Sequence, residues 1–248
     1  MDAELRRLQR IVVEAGRRVR DRFPPKNVEQ KSRGQLVTEV DRGTEQFLRT
    51  KLENAFPGIP VVGEEFGGVR SETCFVIDPL DGTTNYVNGV PFYCVAVALL
   101  REGVPVLSSV CAPVTEHVYS AKRGDGFFVN GERRVRESES RGLLGYCHGS
   151  SDEDIDYVCG CLPRLKKSFH DARRFGAADY ELALVAAGDL EGFFGYHVKP
   201  WDFIPGCLLV EEAGGTVRGL DGGSWQEEGV DSIVAGSERT VDLLLDLV

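Results

Sequence analysis

Leu5, Leu8, Ile11, Val12, Ala15 and Val19 recur at steps of three and four, the spacing of one helical face, and predict an amphipathic helix over residues 2–22. Pro24-Pro25 ends it. Phe47, Leu48, Leu52 and Phe56 share the apolar side of a second predicted helix over residues 41–56, closed by Pro57-Gly58. The texture then changes to short apolar runs bounded by turn residues, which predict strands at 61–62, 74–77, 92–100, 104–111, 118–121 and 127–129. Asn130-Gly131 is a hairpin-turn pair. Strands at 143–146, 193–194, 216–217 and 233–234 then alternate with helices over 179–187, 201–213 and 240–247. Such a pattern predicts a mixed α/β chain with helices layered on sheets. No repeat is visible, and the least regular stretch, 137–170, is the expected place for a boundary between lobes.

Composition narrows the classes of partner. The 248 residues, 42% of them hydrophobic, suffice for one large domain or two intimate lobes. The net charge of −10 argues against nucleic acid, whose binding needs a basic surface. No run approaches the roughly 20 apolar residues of a membrane span, and the charged Met1–Arg7 segment lacks the apolar core of a signal peptide, so no membrane partner and a cytoplasmic location are expected. Seven scattered cysteines form no disulfide framework and suit a reducing compartment, and Cys159-Gly160-Cys161 is too tightly spaced for a zinc knuckle.

Chemistry concentrates after the apolar run Phe75-Val76-Ile77, in Asp78-Pro79-Leu80-Asp81-Gly82-Thr83-Thr84-Asn85. Pro79 cannot continue a strand ladder, so a turn there can aim two carboxylates and a backbone carbonyl into one space. Two such carboxylates repel unless a hard divalent cation lies between them. The glycine allows close backbone approach, and a helix starting at the threonines offers free amides to a phosphate. The same residues also read as an Asx turn followed by a capped helix. Asp41 equally suits an N-cap, Glu65 a solvated carboxylate, Trp201 a core aromatic and Asp202 a helix start.

Asp78–Asn85 resembles the first signature of the inositol monophosphatase family, and Trp201-Asp202 with Gly206 and Glu211–Gly215 resembles the second. Val37-Thr38-Glu39-Val40-Asp41 and Gly63-Glu64-Glu65 match two further motifs in the family's order, so the resemblance runs from Lys31 to Gly215. It implies a layered αβαβα sandwich, one catalytic domain over 1–248, and approximate lobes 1–140 and 141–248, the second completing the site with Asp202. It also implies a Mg2+-dependent phosphomonoesterase, commonly a homodimer, with roughly two to three ions at the site. Glu64, Asp78 and the Leu80 carbonyl would hold one ion, Asp78, Asp81 and Asp202 a second, with a weaker third near Glu64. Thr83, paired with Asp41, would orient and help deprotonate the attacking water, and the Gly82 and Thr83 amides would hold the phosphate.

The expected partner is a small phosphorylated metabolite. In inositol-selective relatives a Glu seven residues before the second-signature Asp contacts substrate hydroxyls; here Gly195 stands seven residues before Asp202. Ala178 matches a pocket-lining position, and Asp179 beside it is expected at the surface. Lys199, Arg173 and Arg174 are candidates to meet a second anionic group. Inositol-1-phosphate, fructose-1,6-bisphosphate, histidinol phosphate and adenosine 3',5'-bisphosphate all remain open, as does a regulatory relative without catalysis. Haloacid-dehalogenase phosphatases place their second Asp two residues after the first, where this chain has Leu80. His117, His148, His170 and His197 fall in no ligand spacing.

Overall fold

The computed structural model describes residues 1–25, 28–32, 35–136, 142–226 and 229–248. Its elements in chain order are α1 (Ala3–Arg20), β1 (Val28–Ser32), β2 (Gln35–Thr38), α2 (Glu39–Ala55), β3 (Val61–Gly63), β4 (Cys74–Asp81), α3 (Thr83–Val87), β5 (Cys94–Arg101), β6 (Val104–Ala112), β7 (His117–Lys122), β8 (Gly126–Val129) and β9 (Glu132–Arg134). There follow β10 (Leu143–His148), α4 (Asp152–Ser168), β11 (Asp171–Arg173), α5 (Ala178–Ala187), β12 (Gly192–Tyr196), a 3-10 turn (Pro200–Asp202), α6 (Ile204–Glu212), β13 (Thr216–Gly219), β14 (Ile233–Gly236) and α7 (Glu238–Leu247).

The apolar stripe of α1 does what its spacing predicts. Leu5, Leu8, Val12, Ala15 and Val19 are fully buried, against Leu48 and Leu52 of α2 and Phe75, Ile77, Val95, Val97 and Leu99 of a seven-stranded sheet. That sheet has the order β3-β4-β5-β6-β7-β8-β9 and is antiparallel except for the β3–β4 pair. Its other face, carrying Val76, Ala96, Ala98 and Leu100, packs on α5 and α6. Those two helices are covered in turn by Phe193, Ile233 and Ala235 of a five-stranded sheet ordered β11-β10-β12-β14-β13. Wedged between sheets, α5 and α6 are apolar nearly all round, as a fully enclosed helix must be. Leu144, Phe194 and Val234 on the far side of the second sheet meet Val158 and Leu165 of α4 and Val241 and Leu244 of α7. The layers therefore run α–β–α–β–α.

Three stretches depart from the sequence reading. Most of 137–170 is regular: α4 starts at a capping box in which the Ser151 hydroxyl accepts from the Asp154 amide and Asp154 accepts from the Ser151 amide. Its polar first turn, with Gly160 and Pro163 inside, hides the periodicity. The boundary expected near residue 140 lies outside the described residues. The helix expected over 201–213 breaks into the 3-10 turn and α6, because the Pro205 ring in a continuous helix would clash with the carbonyl four residues earlier. Finally, β1 and β2 form an antiparallel pair leading into α2 that the sequence reading did not anticipate. Among the described residues no helix is long and apolar enough to cross a membrane.

Candidate active site

On an unbroken strand, residues three apart point to opposite faces. Between Asp78 and Asp81 the register slips: Asp78 pairs with Ala96 and Asp81 with Cys94, so three steps on β4 oppose two on β5. This bulge, at the proline that could not have donated to the ladder, turns both carboxylates to the face covered by α5 and α6. Leu80 points its side chain into the opposite core. The Asx turn is also present, with the Leu80 amide donating to Asp78 Oδ1 at 2.9 Å. Asp81 accepts from the Ala178 amide at 3.0 Å, the Tyr180 amide at 3.2 Å and the Cys94 thiol at 3.4 Å.

Gly82 follows with φ +92°, a left-handed conformation that favours glycine, and a Cβ there would lie 3.0 Å from the Phe92 carbonyl oxygen. It reverses the chain into α3, whose opening residues face the cleft. Thr83 Oγ1 lies 3.0 Å from Asp41 Oδ1 and 3.0 Å from the Leu80 carbonyl oxygen, so its single proton is committed and a lone pair is left for another donor. Asp41 is 1% exposed, and its second oxygen accepts from the Thr38 amide at 2.8 Å and the Thr38 hydroxyl at 2.5 Å. Thr38 rather than Asp41 is therefore the N-cap of α2, and Asp41, at the third helical position, both closes the capping box and partners Thr83. Burial raises its carboxyl above the usual range, against the lowering by these hydrogen bonds.

Glu64 stands on the turn after β3, and the group holding that turn escaped sequence reasoning. Glu45, fully buried on α2, accepts from the Glu65 amide at 2.7 Å and the Phe66 amide at 3.2 Å. Its partner Arg49, at 2.7 Å, donates onward to the carbonyls of Val61 and Gly67 at 3.0 and 2.6 Å. Gly63 permits this clamp, since a Cβ there would sit 2.5 Å from Glu45 Oε1. The available signal was Glu45–Arg49 at helical i,i+4 spacing, which also describes an ordinary surface pair.

Glu64, Asp78, Leu80, Asp81, Gly82, Thr83, Ala178 and Asp202 all line one cleft of about 160 Å³. Asp202 closes it from the 3-10 turn, its carboxylate accepting from the Lys199 amide at 3.2 Å. Gly195 stands apart from this lining, in the core on β12, where a Cβ would meet Phe193, Ile233 and Val198. Asp179, expected at the surface, is fully buried: its Oδ1 accepts from the Gly206 amide at 2.7 Å, and among the described residues its Oδ2 has no partner. It faces inward because α5 is sandwiched between the sheets.

The carboxylates raise one another's proton affinity. Burial and then the charges of Glu64, Asp81, Asp202 and Asp179 push Asp78 well above the usual carboxylate range. Burial lifts Asp81 to about 6, despite the amides it accepts from. Burial and the Asp81 charge lift Asp202 to about 7. Among the described residues no three His, Cys, Asp or Glu side chains are drawn together as a finished metal cage. The donor chemistry nevertheless fits a hard divalent cation, since carboxylate and carbonyl oxygens crowd one cleft and repel each other without one.

Comparison with known proteins places the whole chain in a family. A profile of the inositol monophosphatase family matches residues 2–247. A fructose-1,6-bisphosphatase/inositol-1-monophosphatase of Aquifex aeolicus is 35% identical over 227 residues, covering 89% of this chain and 84% of that protein. Nus factor SuhB of Pseudomonas aeruginosa is 37% identical over 235 residues, covering 90% and 86%. The crystal structure of the extragenic suppressor protein suhB from Bartonella henselae superposes with a TM-score of 0.91 at 29% identity, covering 99% of this chain and 98% of that one.

Proposed function

The chain belongs to the inositol monophosphatase family, and on that premise we propose that it hydrolyses a small phosphate monoester by direct attack of water, with Mg2+ as the working metal. One observation carries the reading: the β4 bulge gathers Asp78 and Asp81 on one face, beside the Thr83–Asp41 pair. Glu64, Asp78, Asp81, Asp202 and the Leu80 carbonyl would hold the ions. Bound there, Mg2+ supplies positive charge for the phosphoryl oxygens and acidifies water.

The chain's own groups do the rest. The Thr83 hydroxyl, its proton directed to Asp41 and Leu80, accepts a hydrogen bond from the attacking water and aims it at phosphorus. Asp41, whose proton affinity burial raises, receives the proton through Thr83. The Gly82 and Thr83 amides hold the phosphate in the cleft. Asp78 is ligand rather than nucleophile, so no phosphoaspartate forms.

The test is phosphate release in Mg2+ from inositol-1-phosphate, fructose-1,6-bisphosphate, histidinol phosphate, adenosine 3',5'-bisphosphate and AMP, comparing kcat/KM. Turnover of none of them would refute the proposal and favour a second reading, a regulatory role without catalysis, which relatives named Nus factor suggest. Retention of every carboxylate of the four motifs supports the enzyme instead. The proposal includes a cytoplasmic homodimer, checked by sedimentation equilibrium and by fractionation.

A further inference from the structure

Helix α6 begins without a cap of its own. Phe203 at the N-cap position offers no side-chain acceptor, and Pro205 in the first turn has no N–H. The Gly206 amide instead donates to Asp179 Oδ1 of α5 at 2.7 Å. The carbonyl of the same peptide group, that of Pro205, accepts from the Ser108 hydroxyl of β6 at 2.7 Å. One peptide at the start of α6 is thus held from both sides by neighbouring elements. Gly206 permits the approach, since a Cβ there would lie 2.4 Å from Leu182 Cβ and 3.1 Å from Asp179 Oδ1. The arrangement is costly, because it buries Asp179 Oδ2 without a donor among the described residues. A serine at position 203 would cap α6 without burying an acid, so starting a helix does not account for Asp179.

Its place between two cleft carboxylates does. Only Phe203 separates Asp202 from α6, and among the described residues a single hydrogen bond, from the Lys199 amide at 3.2 Å, holds the Asp202 carboxylate. Asp81 accepts from three donors, two of them the Ala178 and Tyr180 amides on either side of Asp179. The backbone around Asp179 therefore fixes one carboxylate, and its side chain fixes the helix start next to the other. Burial and then the charges of Asp81 and Asp202 push the Asp179 carboxyl well above the usual range, against the lowering by the Gly206 amide. Asp179 thus belongs to the same group of acids although it does not line the cleft. Its Oδ1 accepts from Gly206 whether or not the carboxyl carries a proton, so the tie does not depend on that shift.

We infer that Asp179 is a positioning residue of the metal centre, fixing Asp202 against Asp81 for the cation they hold together. The inference rests on the metal-holding set proposed above and extends it to a residue outside the four motifs. Losing a hydrogen-bonded partner behind a ligand typically weakens a metal site by about 10–100-fold, and Asp179 acts through one further step of backbone, so the lower end applies.

Titration of the intact, substrate-free protein with Mn2+, which shares the oxygen preference of Mg2+, tests this without turnover. Unbound ion is read by electron paramagnetic resonance, beside a far-UV circular dichroism spectrum of each variant. Asp179→Ala should weaken one bound ion by about tenfold. Asp179→Leu, with methyl groups in place of both oxygens, keeps the space filled and should weaken it alike. Asp179→Asn keeps an acceptor for the Gly206 amide and should bind within about threefold of the parent. In an Asp202→Asn background Asp179→Ala should add little, because both act on one ion. Ser237→Ala, which removes the cap of α7, should lower Tm and leave Mn2+ affinity as it was. Equal affinity in the parent, Asp179→Ala and Asp179→Leu would overturn the positioning role. So would a loss in Asp179→Asn or in Ser237→Ala as large as in Asp179→Ala, since charge or general destabilisation would then be the cause. A parent that binds no Mn2+ would sink the metal-holding set and this inference with it. Mn2+ affinity that follows Asp179 in a protein hydrolysing no phosphate ester would remove the phosphatase reading alone and leave the positioning role standing.

Discussion

Thr83→Ala separates catalysis from stability at this site. The substitution removes the one hydroxyl that reaches both Asp41 Oδ1 and the Leu80 carbonyl, each at 3.0 Å. Asp41 keeps its two bonds from Thr38, so the loss to folding is one acceptor left without its donor, generally about 1–3 kcal/mol. Thr83 is only half-buried, so water can enter and the lower end applies. About 1 kcal/mol lowers Tm by about 2–4 °C in a chain of this size. If the hydroxyl aims and helps deprotonate the attacking water, kcat falls much further, by about 10²–10⁴, equivalent to about 3–5 kcal/mol of barrier. The assay is steady-state phosphate release at saturating Mg2+, with kcat and KM resolved separately, beside a thermal melt. Thr83→Ser, which retains the oxygen, should recover kcat to within about tenfold of the parent. Asp41→Asn should add little to Thr83→Ala, because residues acting as one unit are not additive. A Thr83→Ala protein with the small drop in Tm but kcat within about threefold of the parent would refute the assignment of Thr83 to the attacking water.

Asp81→Asn or Asp202→Asn should lower kcat/KM by more than about 10³ with an unchanged far-UV circular dichroism spectrum; activity retained in either would show that the ion-holding set is wrongly drawn. Glu45→Ala should cost about 2–4 kcal/mol by stranding Arg49 and the Glu65 and Phe66 amides, and should raise the Mg2+ concentration for half-maximal activity as the turn bearing Glu64 loosens. Folding raises the carboxyls of Asp81 and Asp202 from 3.8 to about 6 and about 7, so their protonated forms favour the fold. That contribution is complete below the unfolded value and is lost as pH rises through 6 and 7. The metal-free protein should therefore melt lower at about pH 8 than at about pH 5.5, and Mg2+ should close the gap at the higher pH; a metal-free Tm that holds or climbs over this range would contradict the clustering.

The residues alone determined whatever depends on near neighbours. The α1 stripe, the Pro-Gly stops and the strand runs were legible because side-chain period and turn chemistry are set within a few positions. Asp78, Asp81 and Asp202 could be named as a group through motif order, yet Asp78-Pro79-Leu80-Asp81 by itself remained both a turn and a candidate site. Only the tertiary structure decided that it is both. The one-residue slip against β5 is a relation between strands, and it alone sets which face Asp81 takes. Glu45 and Asp179 were illegible for a like reason. An acid on a helix reads as solvated until the layer covering it is known, and here Glu45 meets a turn about twenty residues away and Asp179 meets Gly206 across two helices. A cavity of about 680 Å³ beside the cleft goes further still: Arg70, Arg174 and Lys199 come from separate parts of the chain, and packing alone brings them around it. Local chemistry thus marked the carboxylates of the cleft, while the cavity beside it arises from contacts between distant segments.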